Sequence, residues 1–144
     1  MADDMTNSTA SDGTKNPSVA PLSTGLAPSD YVVIGGTGDL ALRKILPALF
    51  WRYLDGQITK DYRIAAASRR AISLDEFAGK LRPFCEDAFA SGRANADSWD
   101  DFLSILTMLI LDVASGDGGD ALAAYIGPRA DVTRPAIYYL AIAP

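Results

Sequence analysis

The chain contains no histidine and only one cysteine, Cys85. Histidine is the commonest general base near neutral pH, so any proton transfer here has to rely on other groups. A single cysteine excludes a disulfide framework and suits a reducing compartment, with the cytoplasm as the expected location. A basic stripe is also missing, and the net charge is −5, which excludes nucleic acid and anionic membrane as expected partners. Long apolar runs are absent: the most apolar stretch, Ile105 to Leu111, is far too short to span a bilayer. Met1 to Ser29 lacks the basic start and apolar run of a secretory signal. It is rich in Ser, Thr, Ala, Asp and Pro, and is expected to be a disordered tail. No metal site and no catalytic residue is expected anywhere in the chain.

What is present is enough hydrophobic sequence for one domain, residues 30–144, organised around Tyr31-Val32-Val33-Ile34-Gly35-Gly36-Thr37-Gly38-Asp39-Leu40-Ala41. The apolar run reads as a buried strand, and the residues from Leu40 onward have helical spacing. Strand, glycine turn and helix together present helix N-terminal N–H groups to a phosphate. Gly35 suits the tight exit from the strand, Gly38 a close approach to a pyrophosphate, and Ala41 a helix lying near the sheet. The spacing is Gly-x-x-Gly-x-x-Ala and not the standard Gly-x-Gly-x-x-Gly, so the glycines alone also fit a turn that binds nothing. Asp39 suits the first helical turn and is expected to point away from a phosphate.

The first helix is expected over about 39–54, with a kink at Pro47. Arg43 and Lys44 near its start form either a solvated face or a phosphate contact. A second strand is expected at Arg63 to Ala67, followed by Ser68-Arg69-Arg70. NAD-specific folds place an acidic residue here, whereas a guanidinium can fork onto a 2′-phosphate. The arginines therefore favour NADP, with Arg69 as the main contact; two surface arginines are the plainer alternative. Ser73 opens a helix running past Phe77, Phe84, Cys85 and Phe89, interrupted at Pro83, with Cys85 expected to be an inert core residue. Ser98 is expected to cap a short helix, Met108 to Leu111 to form a third strand, Asp120 to cap another helix, and Ala136 to Ile142 to form a fourth strand. Alternation of this kind implies an α/β, Rossmann-like, doubly wound parallel sheet in the order 3-2-1-4. The nucleotide then belongs at the carboxyl ends of strands one and four. Ala136 to Ile142 would be a bare apolar edge, so the sequence is expected to be the N-terminal part of a longer protein whose later strands and substrate domain are missing.

Taken together, Gly35 to Ala41, Arg43-Lys44, Pro47, the arginine after strand two, and Tyr138-Tyr139-Leu140-Ala141-Ile142-Ala143-Pro144 resemble the coenzyme domain of the glucose-6-phosphate dehydrogenase family. The resemblance covers Asp30 to Pro144. It implies that Gly35, Gly36, Thr37, Gly38, Asp39, Leu40, Ala41 and Leu42 lie at the NADP pyrophosphate. It places Arg69, or Arg70 if the register shifts by one, at the 2′-phosphate. Asp112 and Val113 would lie near the nucleotide, and Leu140 and Ala141 near the nicotinamide. Gly36 stands where alanine is usual, an exchange expected to be harmless. The implied reaction, part of the pentose phosphate pathway, oxidises D-glucose 6-phosphate to 6-phospho-D-glucono-1,5-lactone with NADP⁺, in an enzyme expected to be a homo-oligomer at full length. The family's histidine base has no counterpart here, so the chain as given is expected not to turn over substrate. Two other readings are an extended short-chain dehydrogenase relative, which would need a downstream Tyr-x-x-x-Lys pair absent from this sequence, and a stand-alone NADP-binding module.

Overall fold

The computed structural model describes residues 28–127 and 134–142; the expected tail over residues 1–27, the loop at 128–133 and the final two residues lie outside the described residues. Ser29, at the edge of the expected tail, is buried, and its carbonyl accepts the Arg63 N–H.

Among the described residues, four parallel strands form one sheet. β1 (Asp30–Ile34), β2 (Arg63–Ser68), β3 (Leu106–Ile110) and β4 (Ala136–Leu140) lie in the order β3-β2-β1-β4, as the alternating pattern implied. The pairing runs Asp30↔Arg63, Asp30↔Ala136 and Ile64↔Leu106, which fixes the register of all four strands. Tyr31 and Val33 join Ile64 and Ala66 in the main core, while Val32, Ala65 and Ala67 are buried on the opposite face, as strand alternation requires. Small side chains in β2 let neighbouring elements approach the centre of the sheet. Both outer strands end up apolar and open: Leu140 on β4 is 68% exposed and Tyr138 48%.

Helical structure runs from residue 39 to 54, with an irregularity where Pro47 demanded one. It takes the form of a wide π-turn, Ala41–Ile45, closed by the Leu46 N–H to the Ala41 carbonyl. Pro47 then falls in the first turn of the α-helix that follows, α1 (Leu46–Leu54), where its missing N–H is not needed. Leu46, Leu49 and Phe50 on α1 are buried, and Phe50 lies 5.0 Å from Phe102 and 5.1 Å from Trp99, ring centre to ring centre.

The helix after β2 divides at Pro83 into α2 (Leu74–Leu81), a 3-10 turn (Arg82–Cys85) and α3 (Glu86–Ala90). Ser73 caps α2 by accepting the Glu76 N–H. Cys85 is buried as expected and Phe77 is buried with it, whereas Phe84 is partly exposed beneath the Arg43 guanidinium, 4.9 Å away. Burial pushes the Cys85 thiol up to about 12, against a smaller downward pull from Arg82, which leaves it unreactive.

Four expected details are corrected. The cap of α4 (Ala96–Leu103) is Asn95, and Ser98 is its reciprocal partner at the third helical position, because the Asn95 carboxamide accepts the Ser98 N–H. β3 begins two residues before Met108 and ends one before Leu111, since Leu106 pairs with Ile64 and Ile110 with Ser68. α5 (Gly119–Ile126) is preceded by Gly118 at φ +91°, so Asp120 lies inside the first turn and does not cap it. The fourth strand also stops at Leu140, short of the expected Ile142.

Candidate functional site

The crevice at the carboxyl ends of the strands is built first by the turn after β1. Gly35 has φ +83°, and a Cβ there would come within 2.5 Å of the Ala141 carbonyl oxygen, so both the backbone conformation and the end of β4 require glycine. The Gly35 and Gly36 N–H groups both donate to the Ala67 carbonyl at 2.9 Å, stitching the turn to β2. A Cβ on Gly36 would lie 2.7 Å from the Ala66 Cβ. Glycine therefore fits at this position, and alanine would not without a shift of β2. Gly38 donates to the Gly35 carbonyl, and its own carbonyl accepts the first helical bond, from Leu42 at 3.0 Å. The N–H groups of Asp39, Leu40 and Ala41 precede that bond and have no intrahelical acceptor, which leaves them available to an anion.

The expected site residues take several different positions. Gly35, Thr37, Gly38, Arg69, Asp112, Val113 and Ala141 all line one cavity of about 490 Å³. Gly36 is buried against β2 and Ala41 is fully buried against the core, so both act through the backbone path. Asp39 points to Arg43, with Oδ1 accepting from Nε at 2.7 Å, and Arg43 is thereby taken up in a surface pair. Leu40 is half exposed, and neither Leu40 nor Leu42 lines the cavity. Leu140 projects outward from β4, and only Ala141 turns toward the crevice.

Arg69 follows the last residue of β2 and borders two cavities at once. The second, of about 860 Å³, is lined by Thr37, Ser68, Arg69, Arg70 and Asp112, and from α2 by Glu76 and Lys80. The Ser68 hydroxyl donates to the Arg70 carbonyl at 2.8 Å and so fixes the loop that carries both arginines. Both arginines are exposed, and among the described residues neither side chain takes part in a hydrogen bond or ion pair. Asp112 is committed locally: its Oδ1 accepts the Ala114 N–H at 2.9 Å, shaping the loop after β3. Glu76 and Lys80 were missed from the sequence. Their one-turn spacing on the helix directly after β2 was the available signal.

Beside this crevice, with its glycine turn, open helix-start N–H groups and unpaired arginines, stands a likeness to known proteins over most of the chain. The family model described as glucose-6-phosphate dehydrogenase, NAD binding domain, matches residues 32–144. The chain belongs to the glucose-6-phosphate dehydrogenase family. It is 43% identical over 121 residues to glucose-6-phosphate 1-dehydrogenase of Rhizobium meliloti (strain 1021), an alignment covering 81% of this chain and 23% of that protein. It is 36% identical to the enzyme of the same name from Gluconobacter oxydans (strain 621H), covering 81% of this chain and 24% of the relative. The chain thus spans about a quarter of the length of these family members. Two solved structures share the fold. A glucose-6-phosphate dehydrogenase in complex with its substrate glucose-6-phosphate matches with a TM-score of 0.69 at 23% identity, over 83% of this chain and 25% of that one. The glucose-6-phosphate 1-dehydrogenase of Mycobacterium avium matches with a TM-score of 0.65 at 27% identity, over 83% of this chain and 24% of that one. Among the described residues of this family member, no helix is long and apolar enough to cross a membrane.

Proposed function

We propose that residues 30–144 form the coenzyme-binding part of a cytoplasmic NADP⁺-dependent glucose-6-phosphate dehydrogenase. The observation that carries the reading is Arg69, exposed at the end of β2 without an ion-pair partner among the described residues, on a cavity shared with Thr37, Gly35 and Gly38. A guanidinium there can fork onto a ribose 2′-phosphate, and an acidic residue suited to a free 2′-hydroxyl does not occupy that place. In this reading the pyrophosphate lies over the turn from Gly35 to Leu42, against the N–H groups of Asp39, Leu40 and Ala41. Asp112 and Val113 border the nucleotide from the loop after β3. Ala141 borders its nicotinamide side, with the neighbouring Leu140 backbone. NADP⁺, when bound, supplies the hydride acceptor. The chain's own residues hold and orient it.

The whole enzyme, a homo-oligomer in this reading, oxidises D-glucose 6-phosphate to 6-phospho-D-glucono-1,5-lactone. The chain as given holds the coenzyme without turning over sugar, since it has no histidine to take the hydroxyl proton. Isothermal titration of the 144-residue chain with NADP⁺ and NAD⁺ tests the reading. The expected result is saturable binding with NADP⁺ the tighter ligand. Equal affinity for the two removes the 2′-phosphate assignment, and no binding removes the coenzyme role. A glucose 6-phosphate-dependent NADPH signal from the pure chain would overturn the prediction of inactivity.

A further inference from the structure

We propose that Lys80 and Glu76, on the exposed face of α2, set how strongly the site discriminates a ribose 2′-phosphate from a 2′-hydroxyl. Lys80 acts as a second phosphate-facing cation beside Arg69, and Glu76 as an opposing carboxylate that limits the affinity. The inference rests on the NADP⁺ reading and deepens it.

The geometry starts from α2. Phe77 and Leu81 are fully buried, so the helix is locked against the core in one rotational setting. The Ser73 hydroxyl, accepting the Glu76 N–H at 3.1 Å, fixes where the helix begins. That setting brings residues 76 and 80 to the lining of the cavity that Arg69 and Arg70 also line. Glu before Lys at a spacing of four is the favourable order for a helical ion pair. Yet among the described residues these two side chains are not paired with each other or with any other group. The last turn suits a lysine because of the helix dipole, but the dipole does not select the side of the helix it occupies. The cavity lining holds three cations, Arg69, Arg70 and Lys80, and two carboxylates, Glu76 and Asp112, a formal excess of one positive charge. With Asp112 engaged by its own loop, the balance that a dianionic phosphate meets turns on Lys80 and Glu76. Lysine serves as a point charge and arginine as the fork that fixes orientation.

The test is the ratio of NAD⁺ to NADP⁺ dissociation constants, because the two ligands differ only in the 2′-phosphate. Lys80→Gln is expected to lower the ratio about fivefold and Glu76→Gln to raise it about threefold, the size of an exposed charge acting across a cavity. Lys80→Arg is expected to keep it. Both changes should fade as salt is raised. Both positions are exposed, so thermal unfolding followed by circular dichroism should be unchanged. If Lys80→Gln proved unstable, Glu76→Gln would still read the ratio in the opposite direction. Unchanged ratios in both variants, with the unmodified chain still preferring NADP⁺, overturn this inference and leave the coenzyme reading intact. An unmodified chain that binds neither ligand overturns both.

Discussion

At the amino ends of β1 and β2, Arg63 donates to both carboxylate oxygens of Asp30, at 2.8 and 2.6 Å, and Arg134 donates to Oδ1 of the same residue at 2.8 Å. Arg63 also lies over the Tyr125 ring at 4.5 Å, and Arg134 bonds the Asp61 carbonyl. At the carboxyl ends of the same strands, Arg69 and Arg70 stand on open cavities with no such partners among the described residues. The same residue type is used in two ways. Guanidinium donors already spent on a buried carboxylate tie loops together, whereas unspent donors beside a glycine turn are available to an incoming anion. The difference shows which end of the sheet is scaffold and which is site.

The largest expected effect breaks the closed end. Asp30→Asn leaves Arg63 and Arg134 without their carboxylate and should cost about 3 kcal/mol in urea unfolding, the lower end for a broken buried pair, because both arginines keep part of their side chains in water. Coenzyme affinity should not change. The same site has a pH signature. Burial raises the Asp30 carboxyl, but the hydrogen bonds and positive charges of Arg63 and Arg134 together outweigh it and hold the group below its usual 3.8. Its contribution is therefore complete above that value and is lost as pH falls through the lower folded pKa; Asp30→Asn should flatten that part of the stability curve.

Next comes the glycine turn that builds the open end. Gly35→Ala forces a side chain into a left-handed conformation, at about 1–2 kcal/mol. It also drives a Cβ against the Ala141 carbonyl, so both stability and coenzyme binding should fall. Gly36→Ala should cost less, because Gly36 carries no left-handed strain, although a Cβ there would still press on Ala66 and the Val33 carbonyl. At the open end, Arg69→Ala should weaken NADP⁺ at least tenfold, in line with about 1.5–3 kcal/mol for hydrogen bonds to a charged group, and leave NAD⁺ and the unfolding midpoint nearly unchanged. Asp39→Asn should be the smallest: the exposed pair with Arg43 is worth about 0.3–0.5 kcal/mol, and NADP⁺ affinity should not fall.

Much of this contrast was legible in the sequence where local chemistry dictates the outcome. Strand order followed from alternating elements, and the glycine turn from Gly35 to Gly38 followed from its position after an apolar strand. Details set by tertiary contacts were not legible. Whether Gly36 tolerates a methyl depends on Ala66 in a strand about thirty residues away. Phe84 has ideal helical spacing for the core, but Pro83 breaks the helix before the spacing can act, leaving the ring under Arg43. The Asp30 cluster joins three segments far apart in the chain, and no local pattern announces it. Nothing in the sequence singled out Glu76 and Lys80 as cavity residues; the burial of Phe77 and Leu81 sets the helix so that they line the cavity that Arg69 also lines.

The most direct test of the contrast is an amide chemical-shift titration of the chain with NADP⁺, read at both ends of the sheet. The account predicts large shifts at Gly35 to Leu42, Arg69, Arg70, Asp112 and Val113, and little change at Asp30, Arg63 and Arg134. Shifts centred on the Asp30 end, or absent from the glycine turn, would contradict it.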